Sequence, residues 1–498
     1  MNPSQAINQD LWDELVSSGV QFLRTTNPEE RVVICAHQDT DGISAALILQ
    51  TLLQQRIKQV ELRFTHRLED LQPFDQIPID RLVILDFSLK EIRNFAPECT
   101  SLMIDHHPIA PDELAIEVNH PELIIVNPFV SDRFATLRSS VSTSLMSYYL
   151  YHKATGVHDS QLAIAGVIGG LSDQIPRIQK NLSVPFENLF EYVMVQAEQS
   201  PYHQTRADHP SWYGLSTRNL VSLMTFTDFE SPFRNKPAQS LRFLRQLRID
   251  DPQNQRYLSL PERDQRLLVR EFEKLLTPTE LRSMRASAHL YRFIRYFQIL
   301  PFVPLRIPIG KQLLQFEEIA TIVNVVGRSG CSQIGLAILR GEYEAMKIGL
   351  ELLEVQKREL HRLIKRIRMN HLLFDNERCL FFELEPGSVT LLSTITAILS
   401  DQFPRYVIVG AVRNVTRANE ARLSVRTSQY FLRKHPGLDL SQILASVIRE
   451  IGGQGGGHPG AIGVVLGTEF MYRFVYHLIS NINEATSDRS TATSAKSS

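Results

Sequence analysis

Four short apolar, β-rich runs stand out in the first third of the chain: Arg31–His37 (RVVICAH), Arg81–Phe87 (RLVILDF), Ser101–Ile104 (SLMI) and Leu123–Val126 (LIIV). Apolar runs of this length, with little alternation, suit strands covered on both faces. Helical stretches lie between and after them, at Gly42–Gln55, Thr143–Lys153 and Ser160–Leu171. The alternation predicts an α/β domain: a mostly parallel sheet with helices on both faces, whose ligand sits beyond the carboxyl ends of the strands. Ahead of it, Leu11, Leu15, Phe22 and Leu23 give residues 1–30 the pattern of an amphipathic helix.

The pattern changes at about residue 200. Residues 200–310 are rich in Arg, with scattered Pro and helix-like stretches such as Glu262–Leu276, and read as a helical insertion or subdomain. Residues 31–199 then form a first α/β domain, completed by 311–341. Over 342–372 one long connecting helix is expected, because Met346, Leu350, Leu353, Leu360, Leu363, Ile364 and Ile367 recur at three- and four-residue spacing. Its second half carries Lys357, Arg358, Arg362, Lys365, Arg366 and Arg368. Residues 373–480 alternate strand-like and helix-like segments, a second and smaller α/β domain that ends in a glycine cluster. Residues 481–498 read as a disordered tail, since their Ser/Thr/Ala-rich end has almost no apolar side chains to offset its ordering entropy.

Composition adds limits. A chain of 498 residues is too long for one ordinary core, and 43% hydrophobic with 21% charged residues is globular composition. The 53 Lys and Arg balance 54 Asp and Glu, so no global basic field draws in a polyanion and any such site is local. Four cysteines far apart (Cys35, Cys99, Cys331, Cys379) read as incidental thiols of a reduced compartment. No apolar run reaches the length of a membrane span, and the N-terminus lacks the basic start of a signal peptide. A soluble, cytoplasmic protein is the expectation.

The chemistry lies at the strand ends. CAHQDTDG brings His37, Asp39 and Asp41 directly after the first strand, LVILDF brings Asp86, and LMIDHH brings Asp105, His106 and His107. GGLSD brings Asp173 at the end of a helix. Taken singly, an Asp after a strand is a turn or helix cap. Together, carboxylates and imidazoles at one sheet edge repel or lose hydration unless cations neutralise them. Mixed Asp/His ligation fits Mn²⁺, Mg²⁺ or Zn²⁺, with Mn²⁺ preferred where hard oxygens and imidazole share a site. Two such ions ~3.5–4 Å apart activate a water and stabilise both attacking and leaving oxygens of a phosphoryl centre.

The ordered series His37-x-Asp39-x-Asp41-Gly42, Asp86, Asp105-His106-His107 and Asp173 resembles that of the DHH phosphoesterase superfamily. The first motif looks most like the RecJ branch, with His37 where bacterial RecJ usually has Asp, as in the archaeal GINS-associated nucleases. The resemblance implies one metal on His37, Asp39 and Asp86, and another on Asp41, Asp86, His106 and Asp173, with Asp86 bridging. His107 then contacts the scissile phosphate or assists proton transfer, and Asp105 orients a ligand histidine.

Three further segments extend it. Asn324-Val-Val-Gly327-Arg328 resembles an Asn-Ala-x-Gly-Arg motif, in which an Arg beside an exposed Gly grips phosphate through its planar fork. Ser424-Val-Arg426-Thr427-Ser428 resembles a Ser-x-Arg-Ser strand. Gly455-Gly456-Gly457-His458-Pro-Gly-Ala461-Ile-Gly463 resembles the Gly-Gly-Gly-His signature of the DHH-associated C-terminal domain, with Ile462 in place of Ala. Its glycines let backbone N–H groups approach phosphate oxygens; a flexible turn between a helix and a strand accounts for the glycines but not for the placement of His458. The function implied is a metal-dependent single-strand exonuclease acting on DNA or RNA, with a GINS-type replication partner possible by resemblance. A phosphoesterase for short oligonucleotides or bisphosphate nucleotides is the alternative enzyme, and a non-catalytic replication-complex scaffold the alternative without chemistry. A family II inorganic pyrophosphatase fits poorly, because its second domain lacks the Gly-Gly-Gly-His signature.

Overall fold

A computed structural model describes residues 9–71, 79–92, 99–109, 122–138, 141–173, 189–200, 203–205, 212–226, 231–278, 280–281, 295–298, 313–369, 374–375, 378–413 and 419–487. The chain divides into two compact units, Met1–Leu353 and Glu354–Ser498. Among the described residues, no helix is long and apolar enough to cross a membrane.

In the first unit, β1 (Arg31–His37), β2 (Gln59–Thr65), β3 (Arg81–Leu85), β4 (Thr100–Ile104) and β5 (Leu123–Val126) form one sheet in the order β2-β1-β3-β4-β5. Every pairing in it is parallel. Successive residues of β1, β3, β4 and β5 feed opposite faces. Val32, Ile34, Ala36, Val83, Leu85, Leu102, Ile104 and Val126 join the larger core. Val33, Cys35, Leu82, Ile84, Met103 and Ile125 join a smaller one on the other side. Burial on both faces is why these strands read as continuous apolar runs. The edge strand β2 (QVELRFT) was not anticipated; its charged Glu61 and Arg63 sit on a half-buried strand and leave no such run.

The larger core holds α1 (Gln9–Thr25), α2 (Thr40–Gln54), α3 (Thr143–Thr155) and α4 (Ser160–Ser172). The amphipathic pattern in α1 buries Trp12, Leu15, Val16, Phe22 and Leu23. Asp39 caps α2 by accepting the Gly42 N–H, and Ser142 caps α3 by accepting that of Leu145. A helix α5 (Leu189–Ala197) packs on α4.

The described part of the insertion contains α6 (Leu220–Thr225), α7 (Pro237–Gln246) and α8 (Glu262–Glu273) around a core of its own. Trp212 anchors that core, its ring 5.0 Å from Phe272 in an edge-on contact. Three short antiparallel strands, β6 (His203–Thr205), β7 (Arg295–Gln298) and β8 (Leu313–Gln315), form a separate sheet. The chain then continues into α9 (Phe316–Arg328), α10 (Ser332–Leu339) and α11 (Tyr343–Met369). The start of α9 fastens the insertion. Gln315 accepts the N–H groups of Gly214 and Leu215, and buried Glu318 accepts those of Gln315, Ser216 and Thr217. Burial raises the Glu318 pKa, opposed by those N–H donors.

The second unit is a six-stranded sheet in the order β13-β14-β12-β11-β10-β9. Its strands are β9 (Phe374–Asp375), β10 (Cys379–Leu384), β11 (Val407–Arg413), β12 (Glu420–Thr427), β13 (Gln454–His458) and β14 (Ala461–Gly467). The β10–β11 pair is parallel and the others are antiparallel. On one face lie α12 (Leu392–Gln402) and Leu363 and Ile367 of α11; on the other lie α13 (Leu440–Ile451) and α14 (Met471–Ser487). The helix α14 buries Ile482 and runs to Ser487, so the folded chain extends past the start of the expected tail; residues 488–498 lie outside the described set.

Replacing Glu318 by Ala strands three buried N–H groups and is expected to cost roughly 2–4 kcal/mol of stability. A urea midpoint equal to that of the unchanged protein would show that the insertion is not held there.

Candidate metal centre

The carboxyl ends of β1, β3 and β4 lie side by side, and the residues at and just after them carry the site. Asp86 leaves β3 in the left-handed region at φ 66°, unusual for a residue other than Gly. Its N–H still bonds the Ile104 carbonyl, so the backbone turn is made while the sheet pairing continues. That turn directs one carboxylate to two sides. Asp86 Oδ2 is 3.6 Å from His37 Nδ1, and Asp86 Oδ1 is 3.6 Å from His106 Nδ1.

Around Asp86 the donors fall into overlapping groups. His37, Asp39 and Asp86 bring ligand atoms within 4.8 Å of one another, and so do Asp41, His106 and Asp173. A third set, Asp86, Asp105, His106 and His107, meets the same limit. His37 Nδ1 is 2.9 Å from Asp39 Oδ2, and His106 Nε2 is 3.4 Å from Asp173 Oδ2. His107 Nδ1 is 2.7 Å from Asp105 Oδ1, while Asn127 donates to Asp105 Oδ2. Asp105 is fully buried, whereas the His107 side chain is 47% exposed.

Asp41 is positioned from another element. It is buried in the first turn of α2 and accepts the N–H groups of Thr143 and Ser144, at 2.7 and 3.0 Å. These are free donors of the α3 N-terminus, where backbone dipoles favour negative charge. The Thr143 hydroxyl donates to Asp86. The motif reading missed Thr143, Ser144 and Asn127; the Ser142 cap before a helical pattern in VSTSLM was the available signal. Two glycines make the approach possible. A Cβ on Gly42 would lie 2.3 Å from the His37 carbonyl oxygen, and one on Gly169 would lie 2.9 Å from Asp41 Oδ1.

The electrostatics are those of a cation site. Among the described residues, the ion-pair partners of Asp39, Asp41, Asp86, Asp105 and Asp173 are all histidines. Burial, then the charges of Asp39 and Asp41, raise Asp86 to about 6. Burial and the neighbouring Asp41, Asp86 and Asp39 push Asp173 well above the usual carboxylate range. Burial opposes charge on His37, but Asp39 and Asp86 outweigh it and raise its pKa; the Asp39 pKa is lowered, with burial outweighed chiefly by His37. Asp173 Oδ2 is buried and, among the described residues, accepts no hydrogen bond that meets ordinary geometry, with His106 Nε2 3.4 Å away. A donor set of clustered, mutually repelling carboxylates together with imidazoles fits divalent metal.

Residues 31–169, which contain every one of these strand ends, match the DHH family, N-terminal domain. This stretch of the chain is thus similar to a DHH-family N-terminal domain. An uncharacterized protein of Methanocaldococcus jannaschii is 24% identical to this chain over 466 residues, spanning 91% of this chain and 93% of the relative. The fold is similar to that of CDC45 from Entamoeba histolytica, with a TM-score of 0.58 at 10% identity, covering 94% of this chain and 97% of the other. It is also similar to exonuclease RecJ bound to manganese, with a TM-score of 0.50 at 11% identity, covering 93% of each chain. The fold of this chain is RecJ-like.

The residues expected from the sequence to contact substrate divide between the units. Asn324 and Arg328 lie in the first unit on α9, and the Arg328 Nε–H donates to Asn324. Gly327 is neither in a loop nor exposed, as the motif implied. It is buried in that helix, where a Cβ would lie 2.0 Å from the Gln38 carbonyl oxygen. Its bare backbone brings α9 against the His37–Asp41 loop, and the Thr40 hydroxyl donates to the Ala320 carbonyl of the same helix.

In the second unit, Ser424 is buried, its hydroxyl 2.8 Å from that of Thr396, and Arg426 donates to Ser393 Oγ. The glycine cluster forms edge strand β13 of a hairpin with β14, not a turn between helix and strand. Gly457 has φ 148° and, like Gly455, lies where a Cβ would meet β14 backbone. Gly456 and its partner Gly463 have open space at the Cβ position, which leaves bare backbone in the row with Ser424. Two rows on, His458, Ala461 and Arg426 pair by backbone; the His458 side chain lies outside the described set.

Metal must displace the protons that Asp86 and Asp173 retain at low pH, so binding strengthens as pH rises through about 6. Mn²⁺ is expected to raise the melting temperature more at pH about 7.5 than at pH about 5.5. An equal or larger rise at the lower pH would contradict this assignment.

Proposed function

We propose that this protein is a metal-dependent phosphodiesterase that releases nucleotides from single-stranded DNA or RNA. The observation that carries the reading is Asp86, whose two oxygens face His37 on one side and His106 on the other. His37, Asp39 and Asp86 would hold one divalent ion. Asp41, Asp86, His106 and Asp173 would hold a second, with Asp86 shared. Mn²⁺ is the favoured ion for this oxygen–imidazole set, with Mg²⁺ next. Such a pair supplies an activated water and neutralises charge on the phosphoryl oxygens.

The chain's own groups do the rest. Asp105 is locked by Asn127 and the His107 N–H, and its second oxygen holds the His107 ring. Burial opposes charge on His107, yet Asp105 outweighs it and raises its pKa to about 10. His107 is thus an exposed imidazolium beside the cluster, suited to contact a phosphate oxygen or to give a proton to the leaving oxygen. Arg328 is carried by a helix packed on the His37–Asp41 loop and serves as a substrate-phosphate contact. Arg426 and the bare backbone at Gly456 and Gly463 offer further phosphate contacts in the second unit.

A phosphoesterase for very short oligonucleotides or bisphosphate nucleotides is the neighbouring reading, and a non-catalytic scaffold the remaining one. The full set of donors, gathered into overlapping groups around Asp86, favours hydrolysis over the scaffold.

End-labelled DNA and RNA strands, a dinucleotide and a bisphosphate nucleotide, each with Mn²⁺ or Mg²⁺, separate these readings. Mononucleotides released from one end of a long strand are expected. Turnover of the smallest substrates alone would move the assignment to the second reading, and no turnover with metal demonstrably bound would move it to the scaffold. Asp86→Ala is expected to remove both cleavage and Mn²⁺-induced thermal stabilisation. His107→Gln should lower kcat by roughly 10²–10⁴ while that stabilisation persists; wild-type kcat in this variant would remove His107 from the chemistry.

A further inference from the structure

The second half of α11, within Glu354–Ser498, carries charge that the metal centre and the glycine hairpin do not use. From Glu354 to Met369 it holds six cations (Lys357, Arg358, Arg362, Lys365, Arg366, Arg368) and two carboxylates (Glu354, Glu359), a surplus of four in a chain whose net charge is −1. Glu385 offsets one of these through its ion pair with Arg366.

The distribution is one-sided. Leu363 and Ile367 are buried against Leu380, Phe382 and Ile408 of the second sheet, with Leu360 and Ile364 packed beside them. Arg358, His361, Arg362, Lys365 and Arg368 are exposed, at the three- and four-residue spacing that aligns side chains along one helix face. The local carboxylates bind close to home: Lys357 pairs with Glu354, and Arg362 with Glu359. Arg358 reaches the Glu354 carbonyl and Arg368 the Gln402 side chain, uncharged contacts that leave their charge in place.

We infer that the stripe Arg358, His361, Arg362, Lys365 and Arg368 is a rail for the backbone of single-stranded nucleic acid. The inference rests on the proposed function and extends it to a binding surface on the second unit. Three features favour this occupant. Cations recur about once per turn, ~5.4 Å of rise, a repeat of the same order as successive phosphates along an extended strand. No large hydrophobic side chain interrupts the stripe between Arg358 and Arg368, as a protein-binding helix face would require. The apolar side of this helix half packs on the sheet face that also carries Arg426 and the open Gly463, so one face of the unit offers two sets of phosphate contacts.

The test uses the full chain with Mn²⁺ and fluorescent, cleavage-resistant phosphorothioate strands of DNA and RNA, comparing wild type with R358Q/R362Q/K365Q. Affinity of the variant for a long strand is expected to fall roughly tenfold or more at low salt. The slope of log affinity against log salt should drop by about 0.7 for each cation that meets a phosphate. The loss should grow with strand length, and R358K/R362K should retain wild-type binding because charge is kept. Exposed substitutions of this kind leave stability within about 0.5 kcal/mol, which a melting curve verifies. Equal affinity and salt slope in variant and wild type would overturn the rail while leaving the proposed function standing. Failure of the wild type to bind any strand would overturn both. Displacement of the strand by polyglutamate at equal charge concentration, lost in the triple variant, would reassign the stripe to an acidic protein and overturn the inference.

Discussion

Mutual repulsion among buried carboxylates is the constraint on which the first unit depends. Asp41, Asp86 and Asp105 are buried, and Asp39 and Asp173 lie against them. The fold spends specific devices to hold them there. The α3 N-terminus holds Asp41, Asn127 holds Asp105, and Asp86 adopts a left-handed backbone that an ordinary turn would avoid. The repulsion that remains shows in the raised pKa values of Asp86 and Asp173, and it is of the kind that divalent charge would relieve. The clustering that would favour a metal therefore opposes folding in its absence.

The parallel sheet makes that concentration possible. Parallel strands deliver all their carboxyl ends to one edge, so residues far apart in sequence, from His37 to Asp105, arrive together. Glycines then set how closely helices approach. At Gly42, Gly169 and Gly327 a single methyl would collide with the His37 carbonyl, Ser144 and Asp41, or the Gln38 carbonyl. Through Gly327, α9 packs on the His37–Asp41 loop, and through Glu318 the same helix fastens the insertion. One helix therefore couples the Asp/His edge of the sheet to a subdomain with its own core.

Much of this was legible in the order of residues. The buried strands announced themselves because both faces are covered, and the donor series was visible because each member follows a strand or ends a helix. The partly charged edge strand β2 escaped because half-burial leaves no apolar run. Thr143, Ser144 and Asn127 escaped because they act through a backbone N–H or a short amide, and their residue types carry no distinctive spacing.

The sequence by itself determined the α/β class, the Asp and His donors at the strand ends and the charge surplus on α11, since these depend on local pattern and residue chemistry. Tertiary structure alone decided that Asp86 faces two histidines, that Gly327 is a buried helix contact and that the glycine cluster is an edge strand. Those facts are set by backbone conformation and by the distance between chain segments remote in sequence, which no local pattern encodes.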